Sequence, residues 1–191
     1  MILRLLKKRP AQKRDSMPVT MTGVRMGERL LQIGMDDPAL VATLAAKVGL
    51  SGTAAVAVNN ERDAERARAV AANTGVLIDV QVAPWSALRL AADAFDLVVV
   101  QATGGFLASM TPEDRVASLQ QAYRTLRPGG RIVVVESAPR GGLAALLRGH
   151  RVDEHYAAAG GAEGALKAEG FRPVRTIGEA EGFRFTEGLK T

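Results

Sequence analysis

Two histidines, His150 and His155, are the side chains whose ordinary titration suits proton transfer at neutral pH, and the chain has no cysteine. A thiolate nucleophile, a thiolate metal site and a disulfide are therefore excluded. His155, followed by Tyr156, is the base candidate. Asp153, Glu154 and His155 are sequence neighbours that do not share one helix face, so no metal site is expected. The remaining stretches with chemistry are short. They are Gln32-Ile33-Gly34-Met35-Asp36-Asp37-Pro38, Asn59-Asn60-Glu61, Ala83-Pro84-Trp85 and Gln101-Ala102-Thr103-Gly104-Gly105-Phe106. A glycine after a strand admits a ligand to backbone N–H groups, a carboxamide both donates and accepts, and an indole stacks. Each stretch also has a plainer reading as a helix cap, a loop, or a lone Trp sealing the end of a sheet.

These stretches fall where strands meet helices. Arg29 to Ile33 reads as a first strand that stops at Gly34. Asp37 caps and Pro38 opens a helix running to about Lys47, with Gly49 as its stop. Ala54–Val58, Val76–Val82 and Phe95–Val100 read as the next three strands, with a charged, Ala-rich helix from Glu61 to Ala72 between the first two. Thr111-Pro112-Glu113-Asp114 has the form of a capping box, leading a helix with Val116, Leu119, Tyr123 and Leu126 on one face. Arg127-Pro128-Gly129-Gly130 breaks the chain before a fifth strand, Arg131 to Glu136. Apolar helices are expected around Leu143–Leu147 and Ala162–Ala168, then a hairpin from Phe171–Ile177 and Phe183–Leu189. Alternating strands and helices imply an α/β, doubly wound, mainly parallel sheet.

A chain of 191 residues with 47% hydrophobic and 24% charged residues suits one folded domain and excludes a disordered one. The net charge of +5 is unevenly placed: residues 1–14 hold Arg4, Lys7, Lys8, Arg9, Lys13 and Arg14 and no acid. The chain divides into a basic arm and lead-in at 1–28 and a domain at 29–191. With Met1, Ile2, Leu5 and Leu6 interleaved, the arm suits an anionic membrane surface or an acidic partner, or is a solvated terminus. Aromatic residues are 4% of the chain and no basic stripe interleaves with them, which argues against sequence-specific nucleic-acid binding. No apolar run approaches a membrane span or a signal peptide, so a cytoplasmic domain, peripheral to a membrane at most through its arm, is expected.

The run Phe95-Asp96-Leu97-Val98-Val99, the capped helix, Leu126-Arg127-Pro128-Gly129-Gly130-Arg131 and the Val-rich strand resemble class I S-adenosylmethionine-dependent methyltransferases. Within that family they are most similar to the small-molecule and quinone-type branch, over about residues 27–191. The resemblance implies a seven-stranded Rossmann-like sheet with a C-terminal antiparallel hairpin, and S-adenosylmethionine as cofactor. The family's glycine loop maps to Gln32, Gly34, Met35 and Asp36, with Gln32 where the family has an acid and Asp36 and Pro38 in place of two glycines. The ribose-binding acid maps to Asn59 and Asn60, and the adenine site to Ala83, Pro84 and Trp85. Gln101 and Thr103 map to the lining of the methyl-transfer pocket. The short lead-in before the first strand implies an open pocket. Two functions follow. One is methyl transfer to a small-molecule or quinone-like acceptor. The other is a pseudo-methyltransferase, a scaffold subunit docked through its arm to a protein partner. No Gly-x-Gly-x-x-Gly follows a strand, which argues against a nicotinamide dehydrogenase.

Overall fold

The computed structural model describes residues 16–138 and 154–191. The basic arm at 1–14, the helix expected at Leu143–Leu147 and His150 lie outside the described residues. Strands β1 (Arg29–Ile33), β2 (Thr53–Val58), β3 (Asp79–Val82), β4 (Phe95–Ala102) and β5 (Leu126–Ser137) pair in parallel. Strands β6 (Val174–Ala180) and β7 (Phe183–Leu189) form the expected hairpin and add antiparallel to β5. The order β3-β2-β1-β4-β5-β7-β6 makes one seven-stranded sheet whose winding reverses between β1 and β4. In such a sheet the crevice at the carboxyl ends of the strands, beside that reversal, is where ligands bind.

The helices are α1 (Met17–Thr22), α2 (Pro38–Val48), α3 (Glu61–Thr74), α4 (Phe106–Ser109), α5 (Pro112–Thr125), α6 (Glu154–Ala158) and α7 (Gly161–Ala168). Strands buried on both faces read as continuous apolar runs, and alternate residues feed two cores. Leu31, Ile33, Val98, Val100, Ile132 and Val134 pack on the face that carries Leu119 of α5 and Leu166 of α7. Leu30, Leu97, Val99, Val133 and Val135 pack on the other, against Leu40, Leu44 and Val48 of α2 and Val19 of α1.

Local chemistry sets the helix starts. The Asp37 carboxylate accepts from the amides of Ala39 and Leu40, and the Thr111 hydroxyl from that of Asp114, each cap contributing about 1 kcal/mol. Three expectations need correction. The third strand is shorter than the span 76–82, because Val76 and Ile78 turn into the hydrophobic clusters before the ladder with β2 begins at Asp79. Val116, expected inside, is exposed, and Arg115 takes the buried place because its guanidinium donates to the Leu107 carbonyl and covers the Tyr156 ring. The break at Arg127–Gly130 is a bulge within β5: Leu126 pairs with Phe95 and Arg131 with Leu97. Gly129 turns it at φ 74°, and a Cβ on Gly130 would lie 2.8 Å from the Arg127 carbonyl oxygen.

Candidate functional site

The carboxyl ends of β1 and β4 approach closely. Gly34 leaves β1 with φ 94°, and a Cβ there would stand 3.0 Å from the Gln101 carbonyl oxygen. This glycine is thus required by the approach of the two strands, before any ligand is considered. Beyond it, Met35 turns into the core and Asp36 turns out across the crevice. The Asp36 carboxylate accepts the Gly104 amide at 2.7 Å and the Thr103 hydroxyl at 3.1 Å. Ser137, at the end of β5, donates to the Thr103 carbonyl at 2.8 Å and fixes the same turn from the other side.

Under this loop lies a buried pair of carboxamides. Gln32 Nε2 donates to the Val41 carbonyl at 3.1 Å, and Gln101 Nε2 approaches Gln32 Oε1 at 3.5 Å. Gln101 Oε1 accepts the Asp37 amide at 2.9 Å. Both residues are fully buried, so these bonds satisfy groups that no water reaches. Gln32 and Gln101 therefore fix the loop from beneath and face the α2 side, while Asp36, Thr103 and Gly104 form its open edge.

One strand outward, Asn59 and Asn60 are exposed after β2. Asn60 caps α3 by accepting from the Asp63 amide, and its own Nδ2 donates to Asn59 Oδ1 and to the Asp63 carboxylate. Glu61 occupies the first turn of α3, as its charge suits. Ala83 is buried, its amide bonded to the Val58 carbonyl, and Pro84 opens a turn closed by the Ala87 amide. Trp85 packs edge-on against Phe106, ring centres 4.7 Å apart, so it walls the crevice beside the paired glycines. The recess behind these two rings, bounded by Ile33, Val100 and Leu107, holds no more than about one water and is a packing gap.

The structure separates the neighbours His155 and Tyr156. His155 is exposed, whereas Tyr156 is buried and donates its hydroxyl to Glu136 at 2.7 Å. Glu136, the penultimate residue of β5, pairs in register with Ala102, immediately before the Thr103–Gly105 turn. Burial pushes its carboxyl above the ordinary carboxylate value; the Tyr156 hydrogen bond, the charge of Arg184 and the Ala162 amide offset part of that. Burial, and after it the adjacent Glu136 carboxylate, push the Tyr156 hydroxyl far up, so it keeps its proton and remains a donor. Sequence reasoning passed over Glu136; the signal was there, an acid closing the buried run Ile132–Val135. Among the described residues no cluster of three His, Cys, Asp or Glu could hold a metal ion.

The chemistry at the crevice suits S-adenosylmethionine. The exposed Asp36 carboxylate suits an ammonium, a side chain at Gly105 would meet nothing within 4 Å, and Asn59 and Trp85 follow the ends of β2 and β3. Among the described residues no helix is long and apolar enough to cross a membrane.

A family profile for the methyltransferase domain matches residues 31–134. The chain is 28% identical, over 120 residues, to the ubiquinone/menaquinone biosynthesis C-methyltransferase UbiE of Hydrogenovibrio crunogenus, covering 62% of this chain and 45% of that protein. It is 31% identical over 117 residues to the UbiE of Escherichia coli, covering 60% and 45%. The chain thus spans under half the length of these curated relatives. Among solved structures, a SAM-dependent methyltransferase from Aquifex aeolicus superposes with a TM-score of 0.72 at 15% identity, covering 91% of this chain and 88% of that one. This likeness establishes the fold.

Proposed function

The chain belongs to the methyltransferase domain family, and from that premise we propose that it transfers a methyl group from S-adenosylmethionine to a small, quinone-like acceptor. One observation carries the reading: Asp36 and Gly104 meet across the reversal between β1 and β4, with Asn59 and Trp85 on the flanking strand ends. When bound, S-adenosylmethionine supplies an electrophilic methyl group on a positively charged sulfur. The residues present would hold it in parts. Asp36 accepts hydrogen bonds from the ammonium of the amino-acid moiety through the carboxylate oxygen that Gly104 and Thr103 leave open. Asn59 offers a carboxamide to the ribose hydroxyls in place of an acid, and Trp85 an aromatic wall to the adenine. The protein's contribution to such a reaction is chiefly alignment, since the reactivity resides in the sulfonium. The acceptor class follows from the relatives, which are named for C-methylation in ubiquinone and menaquinone biosynthesis.

Calorimetric titration with S-adenosylmethionine and, separately, S-adenosylhomocysteine tests the proposal. The single Trp85 gives an independent fluorescence signal from the site. A dissociation constant of about 100 μM or tighter, roughly −5.5 kcal/mol, is expected. Absence of binding by both ligands at millimolar concentration would leave a scaffold and remove the enzyme.

A further inference from the structure

The methyl-transfer reading leaves the proton of the acceptor without a destination. Asp36 is taken by the ligand ammonium in that reading and is held by Gly104 and Thr103, and His155 is exposed beside the buried Tyr156. Glu136 stands on the same end of the sheet, one strand from β4, on the face shared with Ile132 and Val134. Its carboxylate takes the Tyr156 hydroxyl at 2.7 Å, and the Tyr156 ring is in turn held under the Arg115 guanidinium at 4.6 Å. Arg115 Nη1 donates to the Leu107 carbonyl at 3.1 Å. A continuous set of contacts therefore runs from α4 through α5 and α6 to the end of β5.

We propose that Glu136 is the catalytic base that accepts the acceptor's hydroxyl proton during methyl transfer, with Tyr156 as its positioning residue. The inference rests on the methyl-transfer reading. A half-buried carboxylate is costly wherever a glutamine or an apolar residue would fill the space, and Tyr156 and the Ala162 amide compensate only part of that. The charged groups around it are few among the described residues: Arg184, its register partner on β7, is itself paired with Glu179 at 2.6 Å, and Arg115 lies behind the Tyr156 ring. Burial raises the carboxyl above its ordinary value, and a more basic carboxylate is the better acceptor of the proton of a weakly acidic hydroxyl. Glu136 takes the hydroxyl proton, the electron pair released into the ring forms the bond from a ring carbon to the methyl carbon, and the sulfur keeps the pair of the bond that breaks. The proton on that ring carbon then leaves to solvent as the ring regains aromaticity, and Glu136 returns its own proton to the oxygen.

The test uses the full chain with S-adenosylhomocysteine and a 1,4-naphthohydroquinone bearing a free ring carbon. The ¹³C carboxyl resonance of Glu136, assigned through its backbone, is expected to move when the hydroquinone is added to the complex. With methyl-labelled S-adenosylmethionine, Glu136→Gln is expected to bind S-adenosylhomocysteine like wild type, to transfer methyl about 100-fold more slowly, and to lose the rise of rate with pH. Tyr156→Phe is expected to keep that rise but move it to higher pH, since the hydroxyl favours the ionised carboxylate. The phenylalanine variant and the wild-type resonance decide the matter even if Glu136→Gln does not fold. An indifferent resonance, or transfer by Glu136→Gln within about threefold of wild type with an unchanged pH profile, overturns the assignment. Failure of the wild-type chain to bind S-adenosylhomocysteine removes the methyl-transfer reading and this one together; binding with Glu136 indifferent removes only this one.

Discussion

The carboxylate of Asp36 accepts the amide N–H of Gly104 at 2.7 Å, across the point where the strand order reverses. The contact joins the loop after β1 to the loop after β4, which are 68 residues apart in sequence. The Thr103 hydroxyl donates to the same oxygen, so the other oxygen of this exposed carboxylate keeps its lone pairs for a further donor, and a ligand ammonium is such a donor. Asp36→Ala is expected to weaken S-adenosylhomocysteine about tenfold, the scale of one charge-assisted hydrogen bond. The same variant should bind 5′-methylthioadenosine, which lacks the amino-acid moiety, as wild type does. Equal loss for both ligands would mean that Asp36 shapes the loop and meets no ammonium.

Gln32 and Gln101 are fully buried and meet each other, the Val41 carbonyl and the Asp37 amide. Replacing either by leucine strands polar groups that water cannot reach, which costs about 1–3 kcal/mol in each single variant. Replacing both removes two of the stranded groups at once, so the double variant should lose less than the sum of the singles. Urea unfolding of the four proteins measures this. Strict additivity would show that the two carboxamides act separately.

How far the sequence reveals this molecule depends on the range of the interaction. Asp37-Pro38 and the box at Thr111 were legible as helix starts because capping is settled within about four residues. The apolar runs of β4 and β5 were legible because strands buried on both faces lack polar alternation. The site was legible only in part. Gln32 stands out as a polar residue at the end of a buried strand, yet its partner is 69 residues away. Tyr156 and His155 are neighbours, and successive helix residues point about 100° apart, so one is buried against Glu136 while the other is exposed. Arg115 displaced Val116 from the buried face for a similar reason. A long side chain with an acceptor at Leu107 and a ring at Tyr156 outweighs apolar spacing.

One cluster of charged residues that ties the sheet lies at its other end, away from the crevice. Asp96, the second residue of β4, accepts the Arg29 amide at 2.7 Å, the Arg29 guanidinium at 3.2 Å, and Nε–H of Arg127. Burial alone would raise its carboxyl; the hydrogen bonds from Arg29 and Arg127 outweigh burial and hold it well below the usual carboxylate range. A folded-state value below the unfolded one stabilises the protein above the unfolded pKa of about 4, and that stabilisation is lost as pH falls through the folded value. Both arginines remain partly in solvent, so the effect is modest. Asp96→Asn is expected to lose about 1–2 kcal/mol at pH 7, and its deficit relative to wild type should shrink steadily as pH is lowered from about 5 toward 2. Urea midpoints of both proteins across that range measure it, and a deficit independent of pH would assign the loss to packing. Because Asp96 sits at the opposite end of β4 from Gln101, the variant should bind S-adenosylhomocysteine with wild-type affinity at temperatures where both proteins are folded.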